Sequence, residues 1–286
     1  MTTLLYVTDL AYQAQGRRYG DEDVYVTSRL REHFDLALAH PRDAAALMGH
    51  FDVVVVRNSG PVLHYVEAYA AFRQQALDSG ACVYNPLSGR GDMSGKQYLL
   101  DLTVGGFPVV PTVSGPEWRT GLPETGSYVV KPKLGADSVG LRRVGRDELE
   151  RLRLDDELLV QPAVDLAYEV SFYFVDRTFR YALHAPDPAR RWELVRYEPT
   201  REDLAFAQRL VDWNTLDHGV QRVDAGRTRD GALLLMELED LNPYLSLDKL
   251  GEAEREEVVA GLRRSVEACL RACRSRRKAA SLARSR

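Results

Sequence analysis

Residues 221–247 read QRVDAGRTRDGALLLMELEDLNPYLSL and predict two strands separated by a turn. The strands carry one arginine and three acidic side chains: Arg222, Asp224, Glu237 and Glu239. Because residues two apart on a strand point to the same face, the arginine shares a face with the first acid, and the other two acids share a face. Side by side, the strands would gather three negative charges with one cation at the rim.

Such a cluster of carboxylates in a half-buried sheet needs a partner, because desolvating an unpaired charge is costly. Hard divalent cations such as Mg²⁺ are the usual partner, and Mg²⁺ commonly binds together with phosphate groups. The stretch therefore predicts a nucleotide–metal site. The alternative is that the acids lie on a solvated face of the sheet, where they need no ligand.

The composition argues against several classes of partner. The chain has 286 residues, 45% of them hydrophobic, which is enough for one large domain or two to three small ones. Its net charge of −4 argues against nucleic acid or an anionic membrane as the main partner. No apolar run is long enough to cross a membrane, and the start, MTTLLYVTDLAYQ, is typical of a strand and not of a signal peptide.

The cysteines and the basic C-terminal residues lead to two further expectations. Cys82, Cys269 and Cys273 are an odd number without a CxxC pair, which favours a reducing compartment and argues against a disulfide or a zinc site. We therefore expect a cytoplasmic protein. Residues 275–286 are rich in arginine, and we interpret them as a solvated basic tail in preference to a nucleic-acid arm.

Residues 1–91 alternate strand and helix signals and predict a small parallel α/β sheet. The run FDVVVVR at 51–57 is typical of a strand that is buried on both faces. Ligands of such sheets bind at the carboxyl ends of the strands, where Asp9, Arg57 and Asn58 lie. Arg57 could pair with a substrate carboxylate or with a structural aspartate, and the sequence leaves both open.

The later residues predict a different architecture, with antiparallel strand pairs. Residues 92–162 contain a helix and short strands, including 109–113 and 139–143. Residues 163–274 contain a long hairpin, a helix, the two acidic strands and a final helix that ends near Cys273. The predicted fold class is thus α/β followed by α+β.

Six motifs follow one another in a fixed order along this part of the chain. They are DMSGKQYLLDLTVGGFPVVPT (92–112), YVVKPKLGADSVGLRRV (128–144), LLVQPAVD (158–165), AYEVSFYF (167–174), RVDA (222–225) and MELEDLNP (236–243). Their order resembles the ATP-grasp family, which includes D-alanine–D-alanine ligase and glutathione synthetase. The resemblance covers residues 84–247. It implies an N-terminal α/β domain (1–91), a small central lid subdomain (92–162) and a C-terminal antiparallel subdomain with a metal site (163–274).

The resemblance also implies a nucleotide site with ATP and Mg²⁺, or Mn²⁺ in its place, as cofactors. Lys96 and Lys131 match the two lysines that contact the phosphates of ATP. A glycine loop lets the backbone close over phosphates, and the family's loop matches Ser138, Val139 and Gly140.

The remaining matches concern adenine, ribose, the reacting groups and the metal. Residues Gln161 to Val164 match the hinge that binds adenine, and Glu169, or alternatively Asp165, matches the acid that holds the ribose. Arg222 matches the arginine that stabilises the acyl phosphate and the tetrahedral intermediate. The Mg²⁺ ligands of the family match Asp224, Glu237 and Glu239.

One position departs from the family pattern. The last metal ligand is commonly Asn, whereas this chain has Glu239 there and Asn242 three residues later. The additional negative charge should tighten metal binding. Asn242 could contact metal, phosphate or substrate, or it could be a turn residue before Pro243.

The function implied is an ADP-forming carbon–nitrogen ligase that acts on a small-molecule carboxylate. Passages such as VVVVRNSGPVLHYVEAYAAF (53–72) are similar to the branch of the family that closes O-ureido-D-serine to D-cycloserine in antibiotic biosynthesis. The alternatives are a two-substrate amino-acid ligase and, from another class, a non-catalytic nucleotide-binding protein. Homodimers are frequent in the family, so a homodimer is possible here.

Overall fold

The N-terminal part of the chain is built on a four-stranded parallel sheet. The structure is a computed structural model and describes residues 2–14, 17–57, 64–135, 138–187, 190 and 192–284. The first elements are β1 (Thr3–Val7), β2 (Gln13–Ala14), β3 (Arg17–Arg18), α1 (Tyr19–Leu30), β4 (Asp35–Ala39), α2 (Ala44–Leu47), β5 (Val53–Val56), α3 (Val66–Ser79) and β6 (Val83–Tyr84). The sheet order is β4-β1-β5-β6, and β2 pairs with β3 in a separate hairpin.

Strand β5 confirms the prediction of a strand that is covered on both faces. All four of its valines are buried. Val53 and Val55 belong to one hydrophobic cluster, and Val54 and Val56 belong to another on the opposite face. The alternation follows from the two-residue period of a strand, and it explains why the sequence shows an uninterrupted apolar run.

A small antiparallel sheet follows. Its elements are α4 (Gln97–Val104), β7 (Val113–Ser114), α5 (Trp118–Gly121), β8 (Ser127–Pro132), β9 (Arg142–Gly145), α6 (Arg146–Arg151) and β10 (Leu158–Pro162). The order β7-β10-β8-β9 places β8 in the interior of the sheet. Two predicted strands were wrong in their bounds. Residues 109–113 contain one proline, Pro111, and directly follow another, Pro108, and only Val113 of this range belongs to a strand of the sheet. Strand 139–143 starts instead at Arg142, because Ser138 and Gly140 adopt positive φ.

The third sheet is five-stranded and antiparallel. It comprises β11 (Leu166–Val175), β12 (Thr178–Ala185), β13 (Val195–Tyr197), β14 (Val220–Thr228) and β15 (Leu233–Glu239), with α7 (Arg201–Asn214) inserted before β14 and α8 (Glu252–Arg284) after β15. The order is β13-β12-β11-β14-β15. Val170, Phe172 and Phe174 of β11 pack in one cluster with residues of α7. The intervening residues of β11 therefore face the opposite side, where the acidic residues of β14 and β15 also lie.

Helix α8 is longer than predicted. The helix does not end near Cys273 but continues to Arg284. Residues 274–284 are mostly good helix formers, and two arginines among them are anchored on the N-terminal unit. Arg274 pairs with Asp52 at 3.2 Å, and Arg277 donates to the carbonyl of Gly80 at 2.9 Å.

The cysteines also correct a prediction. Cys82, just before β6, and Cys273 on α8 form a disulfide across 191 residues of sequence. Cys269 is free, buried, and has its Sγ atom 3.9 Å from that of Cys82. The sequence argued against a disulfide because the count is odd and no CxxC pair is present, but neither observation reveals which cysteines the fold brings together.

The three sheets and their helices establish the predicted α/β and α+β class. The unit boundaries at residues 91, 162 and 274 stay predictions. Within the described ranges, no helix is both long and apolar enough to span a bilayer.

Candidate active site

The three predicted metal ligands converge on one face of the β14–β15 pair. In the register of the two strands, Asp224 lies opposite Glu237 and Arg222 lies opposite Glu239. One carboxylate oxygen from each acid lies within 4.8 Å of the others. Three carboxylates at this spacing are the oxygen donor set that a hard cation such as Mg²⁺ prefers, so the residues present fit that ion.

The cluster contains more positive charge than the single cation predicted at its rim. Lys96 Nζ donates to Glu237 Oε1 at 2.8 Å. The guanidinium of Arg222 is 13% exposed at its side chain, donates to Asp224 at 2.9 Å, and forms a short bond with Glu239. The pairing matters because each acid that would bind a metal already has a protein cation beside it.

The loop before Lys96 is fastened to the strand that carries the acids. Gly91 N and Met93 N donate to the carboxylate of Asp240 at 2.8 and 2.9 Å. In return, Asp92 Oδ1 accepts from the backbone N–H of Asp240 at 2.7 Å. A Cβ atom at Gly91 would lie 2.7 Å from the carbonyl oxygen of Leu238, so only glycine permits this approach. These reciprocal hydrogen bonds between residues 91–93 and Asp240 fix the position of Lys96 relative to Glu237.

The charges have strong effects on one another's pKa. Desolvation opposes the charge of Glu237, but Lys96 and Lys131 lower the pKa of Glu237 to about 2. Burial lowers the pKa of Lys131 to about 8. Burial raises the pKa of Glu239 well above its ordinary value, although Arg222 opposes that shift. The metal-free cluster is therefore unevenly charged, with a firmly ionised Glu237 beside a Glu239 whose charge is costly.

A cavity of about 350 Å³ opens beside the acids, between the second and third sheets. Five residues predicted to bind the nucleotide line it together with the acids and Arg222: Lys131, Ser138, Gln161, Val164 and Glu169. The other two predicted loop residues do not line it, and the side chain of Val139 is 56% exposed. Gly140 has a φ of 76° and turns the chain towards β9. Asp165, the alternative ribose residue, pairs with Arg229 at the surface at 3.3 Å.

Four residues were predicted to contact the substrate: Asp9, Arg57, Asn58 and Asn242. The first two have hydrogen-bond partners within the protein. Arg57 is 4% exposed and bonds to Glu22 at 3.0 Å and to the carbonyl of Pro243 at 2.8 Å, which favours the structural reading of this arginine. Asp9 accepts from Ala11 N at 2.9 Å and from the hydroxyl of Tyr65.

The other two substrate candidates are Asn242 and Asn58. Asn242 is 7% exposed, and its Oδ1 atom is buried without a hydrogen-bond partner among the described residues. A buried acceptor of this kind is unusual and is compatible with a ligand contact as well as with a turn. Asn58 lies outside the described residues.

Sequence reasoning missed several residues of the cavity. Ser171 Oγ donates to Asp224 Oδ1 at 2.6 Å and so holds the acid from the neighbouring strand. Tyr173 lines the cavity on the same strand face, and Tyr19 reaches it from the start of α1. The two-residue spacing of Glu169, Ser171 and Tyr173 on a predicted strand was a usable signal, whereas nothing in the sequence placed Tyr19 there.

The comparisons with solved structures identify the architecture. No protein-family model matches the chain. The structure of D-cycloserine synthetase DcsG superposes with a TM-score of 0.71 at 19% identity, covering 92% of this chain and 99% of that one. The ATP-grasp ligase PsnB, complexed with a precursor variant, Mg and ADP, gives 0.60 at 16% identity, covering 94% and 99%. The D-alanine–D-alanine ligase from Coxiella burnetii gives 0.64 at 12% identity over 100% of both chains. The chain has the ATP-grasp fold.

One curated protein adds similarity at the level of sequence. The cycloserine biosynthesis protein DcsG of Streptomyces lavendulae is 28% identical, with 53% of this chain and 63% of that protein covered. The match thus spans less than two thirds of the curated relative. The sequence-based recognition of the ATP-grasp architecture, with a cycloserine-forming enzyme among the similar proteins, is confirmed.

Proposed function

We propose that the chain is an ATP- and Mg²⁺-dependent carbon–nitrogen ligase that activates a small amino-acid-like carboxylate as an acyl phosphate. The reaction we favour is the ring closure of O-ureido-D-serine to D-cycloserine. The observation that carries the proposal is the convergence of three carboxylates, Lys131 and Arg222 on one cavity of an ATP-grasp fold, with Lys96 paired to one of those carboxylates. The similarity to DcsG supports the choice of substrate.

In this proposal Asp224, Glu237 and Glu239 hold Mg²⁺, or Mn²⁺ in its place, and Lys96 and Lys131 bind phosphate oxygens. The bound MgATP supplies an activated phosphoryl group, which converts a carboxylate into an electrophile with a good leaving group. Lys131 is suited to a phosphate because its ammonium is desolvated in the cavity and would gain a charged hydrogen-bond partner when an anion binds.

The nucleotide residues are assigned from the family resemblance, and the assignment is supported by their position in the cavity lining. In this proposal Gln161 and Val164 contact the adenine, and Glu169 contacts the ribose. Gln161 is fixed by a 2.8 Å bond from its Nε2 atom to Thr112 Oγ1, so its backbone is held in one place. The loop of Ser138, Val139 and Gly140 would close over the phosphates, for which its positive φ values already provide a turn.

Arg222 is assigned to the reacting carbonyl. Its guanidinium is held in one orientation by Asp224 and Glu239, which is what stabilising a developing oxyanion requires. The ureido nitrogen attached to oxygen in the same substrate would attack the acyl phosphate, closing the ring and releasing phosphate, and the carbamoyl group on that nitrogen would leave by hydrolysis. No side-chain nucleophile is needed.

The experiment is Mg²⁺-dependent release of ADP and phosphate, with O-ureido-D-serine tested beside single amino acids and amino-acid pairs. Turnover with O-ureido-D-serine alone, with a ring-closed product by mass, supports the proposal. Turnover only with pairs would make the chain a two-substrate ligase, and nucleotide binding without turnover on any substrate would favour a non-catalytic protein.

A matched pair of variants ties the activity to this cavity. Lys131→Ala should abolish turnover, whereas Lys133→Ala, two residues along and outside the cavity lining, should retain it. Sedimentation of the same preparations tests the proposed homodimer. The cytoplasmic location that ATP dependence favours also belongs to the proposal.

A further inference from the structure

The orientation of Arg222 depends on a contact outside the acidic cluster. Its Nη1 atom donates to the carbonyl oxygen of Tyr244 at 2.9 Å, while its other nitrogens bind Asp224 and Glu239. The two acids are the proposed metal ligands, so their contacts with the arginine would change when a cation binds. The bond to the Tyr244 carbonyl does not involve a metal ligand and can persist through such a change.

The peptide units on both sides of Tyr244 are held by the N-terminal unit, from helix α1 and from the residue that follows β5. Arg57 Nη1 donates to the carbonyl of Pro243 at 2.8 Å. Glu22 accepts from the N–H of Leu245 at 2.8 Å with one oxygen, and from the N–H of Leu247 at 3.1 Å with the other. Three backbone bonds from two side chains thus fix the segment that presents the Tyr244 carbonyl.

Glu22 and Arg57 form a buried ion pair with an Nη2–Oε1 distance of 3.0 Å, and both side chains are less than 5% exposed. Burial raises the pKa of Glu22 to about 7, even though Arg57 and the two backbone N–H groups stabilise its charge. A buried pair of this kind is weak evidence for stability, because desolvation offsets most of the Coulombic gain. Its clearest structural effect here is to fix the backbone of 243–247.

Helix α1 makes a second contact with the same segment. Tyr19, three residues before Glu22, has its ring centroid 4.7 Å from that of Tyr244 and lines the cavity. The first turn of α1 therefore contacts Tyr244 by its ring and the following peptide by a carboxylate.

We propose that Glu22 and Arg57 are positioning residues, which set the Tyr244 carbonyl from the N-terminal unit and through it orient the guanidinium of Arg222. This inference rests on the proposed function, because it assigns these residues to the reaction through Arg222. Of the two roles that the sequence left open for Arg57, it favours the structural one over contact with a substrate carboxylate.

The chain offers a matched control in Asp23, the neighbour of Glu22. Asp23 belongs to the same buried cluster and lies 3.7 Å from Arg57 Nε, but its carboxylate accepts from the hydroxyls of Tyr6 and Thr8 and not from segment 243–247. Glu22→Gln and Asp23→Asn each remove one buried negative charge with little change of shape. Only the first alters the contact with the segment.

We expect Glu22→Gln to lower kcat by about 10-fold, with the affinity for ATP unchanged; an ångström of misplacement costs up to about 100-fold. Hydrogen exchange at the amides of Leu245 and Leu247 should accelerate, and the NMR signal of the Arg222 Nε–Hε group should shift. Asp23→Asn should leave kcat within about twofold and that signal unshifted, whatever its effect on stability. If Glu22→Gln does not fold, Arg57→Lys, which keeps the charge but shortens the reach, serves in its place.

Two outcomes overturn the proposal. One is that Glu22→Gln leaves the Arg222 signal and kcat at their native values. The other is that both variants change them equally, which would make the cluster purely structural. The exchange rates and the Arg222 signal need no substrate, so they decide the positioning of Arg222 even if the wild-type chain turns over none of the substrates tested and the proposed function itself fails.

Discussion

Lys96 and Glu237 form a 2.8 Å ion pair that joins the start of α4 to the end of β15. The pair links a lysine proposed for phosphate binding to an acid proposed for metal binding. In the ligand-free protein each neutralises the other, so that MgATP must replace a protein contact with contacts of its own. The stability of the ligand-free fold and its ability to bind are therefore coupled at this pair.

Glu237→Gln should destabilise the ligand-free protein. The folded pKa of Glu237 is about 2 against an ordinary 4.5, so its charge stabilises the fold above pH 4.5, and this contribution is lost as the pH falls towards 2. The side chain is 38% exposed and partly screened by water, so we expect a decrease in Tm of only about 1–2 °C at pH 7. Calorimetry of wild type and variant across this range should show the difference shrinking with acid; a constant difference would contradict the assignment.

Glu239→Gln should have the opposite effect on stability. Burial raises the folded pKa of Glu239, so its charge opposes folding, and wild-type stability gains as the pH falls through that raised pKa. The variant should melt above wild type at pH 7 without ligand, yet lose about 100-fold in kcat because a metal ligand is gone. A variant that is less stable than wild type would show that the bond with Arg222 outweighs the cost of burial.

Lys131 should be unusually reactive at moderate pH. Burial lowers its pKa to about 8, so roughly half of the Lys131 side chains are neutral amines at that pH in the ligand-free protein. Competitive acetylation read by mass spectrometry should give a half-maximal rate near pH 8, with the exposed Lys278 as the internal reference. ADP with Mg²⁺ should suppress the labelling of Lys131 and not that of Lys278. Equal suppression at both lysines would argue against a phosphate contact.

Arg222→Lys should separate chemistry from nucleotide binding. Lysine keeps a positive charge between Asp224 and Glu239 but lacks the fork that also reaches the Tyr244 carbonyl. We expect kcat to fall about 100-fold while the Kd for ATP, from calorimetric titration, changes less than about threefold. Normal turnover at saturating ATP, together with weakened ATP binding, would show that Arg222 contacts the nucleotide and not the reacting carbonyl.

The disulfide predicts a thiol count and a stability difference. The unfolded, unreduced protein should titrate one thiol, Cys269, and the reduced protein three. Closing a 191-residue loop is worth about 5 kcal/mol in the chain-entropy model, so reduction should lower the urea midpoint clearly. Cys269→Ser should keep the response to reductant, and Cys273→Ser should abolish it. Three reactive thiols before reduction would show that the bond does not form.

The sequence predicts most of what depends on local order and periodicity. The acid cluster could be found because two-residue spacing on adjacent strands determines a shared face, and β5 could be found because only a doubly covered strand has four consecutive valines. The contacts of Arg57 could not, since its partners Glu22 and Pro243 are 35 and 186 residues away in sequence. The disulfide was missed for the same reason, and the length of α8 because a basic composition is compatible with both helix and solvated coil.

Helix α8 places a constraint on the order in which the chain can fold. Residues from β1, β5 and α1 share one hydrophobic cluster with residues 258–273 of the helix and with Tyr173 and Tyr181 of the third sheet. During synthesis the N-terminal strands emerge from the ribosome long before the helix that covers one of their faces. Until α8 is synthesised, the N-terminal sheet exposes apolar surface on that face, and chaperones bind surface of this kind during translation.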